Sequence, residues 1–394
     1  MAARLTSKKR GYRWVEIEKM LARGEVRGKL TRDDLPTPAL LLDLDAFSFN
    51  VAKMVRHCKD RHLALRPHGK SHKCPEIAKA LVRAGAAGAC TAKISEAEVF
   101  AADGVPGLLV TTAVIGKHKI ERAVRLAKRS PDTMFVVDDA HNVRDLNDAA
   151  RAARITLNVV VDLHVGKKTG IQPCLPALGL VRLVTSLPNL RFAGIQAYAG
   201  QASHVVGFAE RKKVSREALR PALETRWLFE KNGIQCPMLT GASTGTYNID
   251  SGIQGITELQ PGSFIFMDID YNRIGSRNGA VYTDFRNSLS VLTTVVSKPS
   301  IALAIIDAGY KAFATDRPFV PEAKGIEGVV YSWGGDEHGR LDLTKSSAEV
   351  NLGDRLEFIV PHCDPSVNLY DRIYCLRGDN VEAVWTIAAR GMSQ

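Results

Sequence analysis

Short apolar runs alternate with helix-like segments between residues 63 and 260, and this alternation dominates the chain. The apolar runs are Leu63–Arg66, Gly88–Thr91, Leu108–Thr112, Met134–Asp138, Leu157–Asp162, Phe192–Tyr198, Pro237–Thr240 and Ile256–Gln260. The helix-like segments are Pro75–Arg83, Ser95–Ala102, Lys117–Lys128, His141–Ala153, Pro176–Thr185, Val214–Glu230 and a shorter turn after Thr244. Each run is largely apolar, as a strand buried on both faces should be. Eight such units over about 220 residues predict an α/β fold, a (β/α)8 or TIM barrel.

Helical spacing disappears after about residue 276, and strand-like runs replace it. These runs are Ser288–Val296, Ile301–Ala308, Gly328–Trp333, Arg355–Val360, Arg372–Leu376 and Val381–Ile387. Turn-forming residues such as Gly334-Gly335-Asp336 and Gly378-Asp379-Asn380 separate them. The pattern predicts a second, mainly antiparallel β domain.

The residues before the barrel pattern form a third region. An amphipathic helix is predicted from Tyr12 to about Arg23, and an apolar strand over Ala39–Asp43 precedes a helix over about 45–60. We assign residues 37–275 to the barrel. Residues 276–394, together with an N-terminal arm over residues 1–36, form the β-rich domain.

Composition restricts the class of protein. The chain has 394 residues, 45% of them hydrophobic and 24% charged, as in a soluble globular protein. No apolar run is long enough to span a membrane, and no apolar segment follows the basic N-terminus to make a signal peptide. The seven cysteines include no CxxC pair, which favours a reducing, cytoplasmic setting.

The formal net charge of +11 raises the alternative of a nucleic-acid-binding protein. However, the Lys and Arg residues are spread along the chain, mixed with acidic residues and not interleaved with aromatic ones. They are densest in the first thirty residues, which we interpret as an exposed arm. We therefore expect no nucleic-acid partner, and a basic surface equally attracts an anionic substrate or a phosphorylated cofactor.

Polar residues follow every predicted barrel strand. The residues that end or follow these strands are His68, Lys70, Thr91, Thr112, Asp138, Asp162, His164, Tyr198, Thr240 and Ser263, the last of which stands next to Gly262. Active sites of (β/α)8 barrels lie at the carboxyl ends of the strands, because the βα loops converge there. The pattern therefore predicts a single active site on this rim.

Lys70 is the candidate for covalent chemistry. It lies in the stretch Arg66–Lys73, directly after the first strand and between two histidines. A lysine amine forms a Schiff base with a carbonyl, and nearby cations or partial burial lower its pKa enough to react. Gly69-Lys70-Ser71 does not indicate a nucleotide-binding P-loop, because Ala64 stands where that motif needs glycine.

Two loops predict a phosphate site opposite Lys70. Gly241–Tyr247, rich in small and hydroxylated residues, follows the seventh strand, and Gly262-Ser263 follows the eighth. Either loop alone could be a flexible surface loop, but barrels often bind phosphate at these two positions. A rim lysine with a phosphate site indicates pyridoxal 5'-phosphate bound through Lys70. Tyr198 and His204 are candidates to flank its ring or the substrate, although a lone tyrosine at a strand end often only packs.

His362 and Asp364 are the candidate metal ligands. Two residues apart on an extended strand, they would point to the same face. Their oxygen and imidazole donors suit Mn²⁺ or Mg²⁺ completed by water, although imidazole also accepts Zn²⁺. The alternative is a turn in which Asp364 caps the backbone and His362 packs.

The motifs together resemble those of the D-threonine aldolase family. The matching segments are Thr37–Asp43, Pro67–Pro75, Gly194–Tyr198, Gly241–Tyr247, Glu258–Ser263, Asp307–Gly309, Asp336–Gly339 and Pro361–Asp371. This family belongs with the alanine-racemase-like, fold-type III pyridoxal phosphate enzymes and is related to D-serine dehydratase. The matches extend from residue 37 to about residue 391.

The resemblance implies a carbon–carbon lyase that cleaves β-hydroxy-D-amino acids to glycine and an aldehyde, and it implies a homodimer. Lys70 would carry the cofactor and His204 would act as the base. The cofactor would be held by Lys70, Lys168, Tyr198, Ser243, Gly245, Thr246, Gly262 and Ser263. His362 and Asp364 would hold a divalent ion that contacts the substrate β-hydroxyl. Relatives usually place an arginine where Lys168 stands, so a point donor replaces a planar fork.

Other functions remain open at this stage. A D-serine or 3-hydroxy-D-aspartate dehydratase would share the fold and cofactor, but the family's dehydratases hold zinc with a histidine and a cysteine two positions on, where this chain has Asp364. An amino-acid racemase would not need the metal. A non-catalytic pyridoxal phosphate carrier would not need the β domain.

Overall fold

The computed structural model describes residues 12–166 and 168–394, which form two β-sheets and their surrounding helices. The strands are β1 Ala39–Asp43, β2 Ala64–Leu65, β3 Ala89–Thr91, β4 Leu108–Val110, β5 Met134–Val137, β6 Leu157–Asp162, β7 Leu190–Ala197, β8 Leu239–Gly241, β9 Glu258–Leu259, β10 Leu289–Ser300, β11 Leu303–Ile306, β12 Glu322–Ala323, β13 Val330–Trp333, β14 Gly339–Asp342, β15 Arg355–Ile359, β16 Arg372–Arg377 and β17 Asn380–Thr386. The helices are α1 Trp14–Arg23, α2 Leu44–Asp60, α3 Pro75–Arg83, α4 Ile94–Ala102, α5 Lys117–Arg129, α6 Ala140–Ala153, α7 Leu175–Ser186, α8 Phe208–Lys231, α9 Tyr247–Asp250, α10 Ile269–Asn272 and α11 Cys363–Val367.

The first sheet is the predicted barrel. Its strand order is β2-β9-β8-β7-β6-β5-β4-β3, every pair is parallel, and a parallel bridge between His68 and Cys90 joins the two ends. Successive side chains of a strand point to opposite faces. Val159 and Val161 therefore pack in the large core with the helices, whereas Val160 belongs to a small cluster formed by strand residues. The predicted (β/α)8 fold is confirmed.

A buried ion pair joins the first and last strands of the barrel, β2 and β9, which are neighbours in the sheet. The Arg66 guanidinium donates to Glu258 at 2.9 and 3.1 Å, and the Thr240 hydroxyl donates to the same carboxylate at 2.8 Å. Burial alone would lower the pKa of Arg66, but Glu258 outweighs it and raises that pKa. The pair fastens β9 to β2 beside the Lys70 turn.

The second sheet has nine strands and is mainly antiparallel, as predicted. The long strand β10 pairs with both β1 and β15 over residues 289–294, and its distal half pairs with β11. The exception is the parallel pair of β1 with β16. Strand β1 lies within the 37–275 range assigned to the barrel, yet it is a central strand of this other sheet.

The interpretation of the N-terminal region as an exposed arm is wrong for its described part. Helix α1 and the segment after it bury Ile17, Leu21, Val26 and Leu30 against β1, β10, β16 and β17. Backbone bonds hold the segment in place, including one of 3.0 Å from the Val381 N–H to the Leu30 carbonyl. The basic charges of residues 1–11 lie outside the described residues.

Leu30→Ala is expected to destabilise the protein by about 2 to 5 kcal/mol, the usual cost of truncating a buried leucine. Leu30 is 1% exposed, so its loss leaves a cavity under β17. Urea denaturation measures the effect, and Trp14→Ala is the control because Trp14 is 47% exposed in the same segment. Equal midpoints for the two variants would contradict the packing of this segment.

Other differences from the predicted elements have local causes. Helix α8 begins six residues before the predicted Val214, because the charged sequence after Gly207 conceals its first turns. Strands β12 and β14 were not predicted, since they are short and half polar. None of the described helices is both long and apolar enough to cross a membrane.

Candidate active site

A cavity of about 590 Å³ opens at the carboxyl ends of the barrel strands. Its walls come from both sheets, since the loop after β15 reaches over the barrel rim. The lining residues are His68, Lys70, Ala92, Thr111, Thr112, Asp162, Leu163, Gly166, Lys168, Thr169, Gln196, Tyr198, Gly200, Gln201, His204, Ser243, Thr244, Gln260, Gly262, Ser263, Tyr271, Arg317, His362 and Asp364. Of the eleven site residues predicted from the sequence, nine lie here, and Gly245 and Thr246 stand behind the wall.

Lys70 occupies a three-residue 3₁₀ turn, Gly69–Ser71, directly after β2. Burial and the neighbouring Lys70 lower the pKa of His68 well below its ordinary value, so the neutral ring accepts the Lys70 N–H at 3.3 Å. The Ser71 hydroxyl donates to the His68 carbonyl at 3.0 Å. The Lys70 amine lies 5.8 Å from the centre of the Tyr198 ring. These hydrogen bonds fix the backbone of the turn, and the Lys70 amine therefore faces the cavity.

The prediction that the pKa of Lys70 is lowered is wrong for the protein without a bound cofactor. Burial acts to lower this pKa, but Tyr198, Asp364 and Glu96 outweigh it, and the pKa is raised above its ordinary value. Lys70 is thus an ammonium in a cavity with acidic neighbours. It must lose a proton before its nitrogen can attack a carbonyl.

The neighbouring Lys73 and His72 have structural roles. Lys73 forms a buried ion pair with Glu96, whose other oxygen accepts the Ala92 N–H at 2.7 Å. His72 stacks on Phe100 with ring centres 5.7 Å apart, and burial lowers its pKa to about 3. Neither side chain lines the cavity, so Lys70 is the lysine of this motif that faces it.

The turn after β8 presents Ser243 and Thr244 to the cavity. Thr246 stabilises the turn from within, since its hydroxyl accepts the Ser243 N–H at 3.1 Å and donates to Asp250 at 2.6 Å. Thr244 is 1% exposed, and its hydroxyl has no hydrogen-bond partner among the described residues. Gly245 lets the turn after β8 lie against the loop that contains Ser203, because a Cβ at position 245 would overlap the Ser203 carbonyl oxygen.

Gly262 and Ser263 form the adjoining wall after β9. A Cβ at Gly262 would lie 3.0 Å from the His68 carbonyl oxygen, so this loop touches the Lys70 turn. Within residues 12–166 and 168–394, the backbone N–H groups of Thr244, Gly245 and Gly262 find no acceptor. Unpaired N–H groups and hydroxyls beside a lysine are the donors that a phosphate needs.

A hydrogen-bonded chain that the sequence did not reveal forms the cavity floor. The Gln196 amide donates to Asp162 at 2.9 Å, and the Thr169 hydroxyl donates to the other carboxylate oxygen at 2.7 Å. Burial raises the pKa of Asp162 to about 6. Lys168 lines the cavity next to Thr169. It stands at the position where the family resemblance leads us to expect an arginine.

Asp162→Asn is expected to stabilise the apoprotein at neutral pH. The pKa of Asp162 rises on folding, so the cost of its buried charge is absent below the ordinary pKa of 3.8 and complete above about 6. The amide removes this cost, which is about 3 kcal/mol at most. Urea denaturation from pH 4 to 7.5 should show a gain that grows up to pH 6 and then stays level. A constant difference across this range would contradict the burial of the charge.

The metal motif has a different conformation from the predicted one. His362 has an extended backbone, but helix α11 begins at Cys363, so Asp364 lies in a helical turn and not two positions on along a strand. The Asp268 carboxylate accepts the Cys363 N–H at 2.8 Å and caps this short helix. Both His362 and Asp364 still line the cavity, and α11 packs against the Lys70 turn.

The donors of these two residues suit a hard divalent ion. The His362 Nδ1 lies 2.7 Å from Asp316, which leaves Nε2 free as a ligand, the usual arrangement around a metal-binding histidine. Asp364 adds a carboxylate, and water and substrate oxygens would complete the coordination. No group of three or more His, Cys, Asp and Glu side chains suited to a metal occurs in the described part of the chain.

Asp270 connects the charged groups on this side of the cavity. Its Oδ2 lies 3.1 Å from the His204 Nδ1 and 2.8 Å from the Arg317 Nε. Burial would raise the pKa of Asp270, but His204 and Arg317 outweigh it, and the pKa is lowered. The sequence offered one signal for Asp270, the polar residues at 268 and 270 in an apolar stretch. It offered none for Arg317.

The sequence matches known protein families over most of its length. Residues 42–270 match the family described as alanine racemase, N-terminal domain, and residues 288–376 match the putative serine dehydratase domain. A D-threonine aldolase from Arthrobacter sp. is 38% identical over 360 residues, which cover 91% of this chain and 93% of the relative. The chain belongs to the D-threonine aldolase family.

Two further comparisons agree with the family assignment. A 3-hydroxy-D-aspartate aldolase from Paracoccus denitrificans (strain Pd 1222) is 35% identical over 366 residues, 92% of this chain and 94% of the relative. The crystal structure of D-threonine aldolase from Filomicrobium marinum has a TM-score of 0.89 and 36% identity, covering 94% of this chain and 99% of that one. The predicted resemblance is confirmed, as is an aldehyde-lyase at the level of the family.

The cavity fits the cofactor used by alanine-racemase-like enzymes of this fold type, pyridoxal 5'-phosphate. Lys70 would join its aldehyde. Its phosphate would be held by the Thr244 hydroxyl and by the N–H groups of Thr244, Gly245 and Gly262, none of which has a partner in the described part of the chain.

Proposed function

We propose that the protein cleaves β-hydroxy-D-amino acids of the D-threonine type to glycine and an aldehyde, with pyridoxal 5'-phosphate and a divalent ion. The observation that supports this best is that Lys70, His204, His362 and Asp364 all line one cavity. Family membership supports the same reaction class.

The cofactor would supply an electron sink for the carbon that loses its substituent. Lys70, Tyr198, Ser243, Gly262 and Ser263 would hold it, with Lys168 beside the ring. Gly245 and Thr246 would shape the phosphate turn from behind. Thr244 joins the set because it lines the cavity and its buried hydroxyl has no partner among the described residues.

His204 is the base of the proposal. The His204 Nδ1 lies 3.1 Å from the Asp270 carboxylate, within ion-pair distance although the two groups are not aligned as a hydrogen bond. With its Nδ1 on this side, the ring would use Nε2 to take the substrate β-hydroxyl proton. The lowered pKa of Asp270 keeps this carboxylate ionised, so it also stabilises the imidazolium formed after proton transfer. His362 and Asp364 would hold Mn²⁺ or Mg²⁺, and such an ion lowers the pKa of a hydroxyl that it contacts.

Product analysis tests the proposal. With D-threonine, added cofactor and a divalent ion, we expect glycine and acetaldehyde in equal amounts, measured by amino-acid analysis and an aldehyde assay. The second candidate, dehydration, is favoured by the match of residues 288–376 to a putative serine dehydratase domain. It would instead give 2-oxobutanoate and ammonia, and their dominance would overturn the aldolase proposal.

We further propose a homodimer in the cytoplasm, as the family resemblance implies. Sedimentation equilibrium of the purified protein tests the assembly, and a monomeric mass would contradict it.

A further inference from the structure

Arg211 is fully buried and binds only backbone carbonyls among the described residues. It lies on α8 and is 0% exposed. Its guanidinium donates to the carbonyl oxygens of Gly245 and Val205 at 2.8 Å, and to those of Ile274 and Gly275 at 2.7 Å. Four short bonds from one side chain fix its position firmly.

These four carbonyls belong to three segments that border the cavity. Val205 follows His204 in the β7–α8 loop, and Gly245 lies in the turn after β8. Ile274 and Gly275 follow α10, which carries Asp270 and Tyr271. One guanidinium therefore joins three segments: the loop that contains His204, the turn that contains Gly245, and the segment that follows Asp270.

The charge of Arg211 has no acidic partner in the described part of the chain. Among these residues no carboxylate lies within ion-pair distance of its guanidinium, whose bonds all go to backbone carbonyls. Burial lowers the pKa of Arg211 by more than Tyr282 and the more distant Asp284 raise it. An arginine nevertheless remains charged in proteins. A buried cation without a counter-ion is costly, so an anion bound nearby would offset this cost.

Tyr282 supports the same turn from behind. Its buried hydroxyl donates to the Thr244 carbonyl at 2.7 Å, and the Arg211 guanidinium lies 5.7 Å from its ring centre. In a trans peptide the carbonyl and the N–H point in opposite directions. Because Tyr282 holds the Thr244 carbonyl, the N–H of the same peptide bond, that of Gly245, points away from Tyr282. This N–H has no acceptor in the described residues.

We propose that Arg211 is the positioning residue and the buried counter-charge of the phosphate-binding turn. The anion it serves is the phosphate of the cofactor, so the inference rests on the proposed function. Arg211 thereby determines the preference for a phosphorylated pyridine aldehyde over the same ring without phosphate.

The test titrates apoprotein with pyridoxal 5'-phosphate and, separately, with pyridoxal, and follows Schiff-base absorbance near about 420 nm. Arg211→Met is compared with Arg211→Lys and with the control Arg226→Met. Arg226 lies on the same helix and also donates to a backbone carbonyl, that of Gly255, which does not border the cavity.

Arg211→Met should weaken binding of the phosphorylated compound by roughly 10- to 100-fold, because the bound phosphate loses a nearby buried positive charge and the turn loses the bonds that orient it. Its affinity for pyridoxal should change by less than about threefold, because pyridoxal lacks the anion. Arg211→Lys keeps the charge and should keep the affinity ratio within about threefold of wild type. Arg226→Met should change neither affinity.

Equal losses for both compounds in Arg211→Met would show a purely structural role and overturn the inference. If that variant does not fold, judged by circular dichroism, inorganic phosphate provides the second measurement. It should raise the melting temperature of the wild-type apoprotein and of Arg211→Lys, and no rise in the wild type would overturn the inference. A wild type that binds neither compound would overturn the proposed function, and this inference with it.

Discussion

Lys70→Ala is expected to abolish the Schiff-base absorbance near about 420 nm and to reduce turnover by at least about 1000-fold. Lys70 lies over the Tyr198 ring at the cavity wall and is held there by the His68 cap. Alanine removes the only nitrogen of this turn that can join the cofactor aldehyde. The fold should persist, because the turn is held by backbone groups and by Ser71.

The measurement combines absorbance with borohydride reduction and peptide mapping. Borohydride should fix the cofactor on the peptide that contains Lys70 in the wild type. Lys168→Ala is the matched control, because Lys168 also lines the cavity but does not form the covalent bond. At a saturating concentration of cofactor this variant should keep the absorbance. Cofactor fixed on Lys73 would contradict the assignment, since Lys73 forms its buried ion pair with Glu96.

Asp364→Ala is expected to remove metal-dependent turnover while the cofactor absorbance remains. Asp364 is one of two ligand side chains at the proposed ion site, and His362 alone is a weak site for a hard ion. We expect turnover at saturating Mn²⁺ to fall by at least about 100-fold. Equilibrium titration with Mn²⁺, followed by electron paramagnetic resonance, measures binding without relying on activity.

Asp316→Asn is the graded comparison for this prediction. Asp316 contacts the His362 Nδ1 at 2.7 Å and would not itself bind the ion. Loss of such a partner usually weakens metal affinity by about 10- to 100-fold, so higher Mn²⁺ should restore turnover in this variant. Full metal-dependent turnover in Asp364→Ala would exclude this carboxylate as a ligand.

The barrel could be predicted because its signal is repeated. Each strand is a short apolar run before a helical segment, and helix α3 has the predicted bounds, Pro75–Arg83. The position of Lys70 could be predicted from the strand that precedes it. The positions of the two loops proposed to bind phosphate could be predicted in the same way, from the strands that they follow.

The rest depends on contacts that are distant in the sequence. Helix α11 has five residues, too few for a helical period, and it begins where Asp268 accepts a backbone N–H from 95 positions away. Asp270 and Arg317 meet only in the folded protein, and nothing in their local sequence indicates an ion pair. The sequence showed that α1 has a hydrophobic face, but it did not show that the second sheet covers this face.

Helix α11, which carries the proposed metal ligand Asp364 and begins directly after His362, comes from the second sheet and rests on the Lys70 turn of the barrel. Under the proposed function, the groups that anchor the cofactor and the two ligands of the divalent ion thus have separate structural origins, while the base His204 belongs to the barrel. Mutations in residues 355–367 can then change which substrate bond breaks while the residues proposed to bind the cofactor stay the same. Divergence between carbon–carbon cleavage and elimination would in that case require only local change on one side of a shared interface.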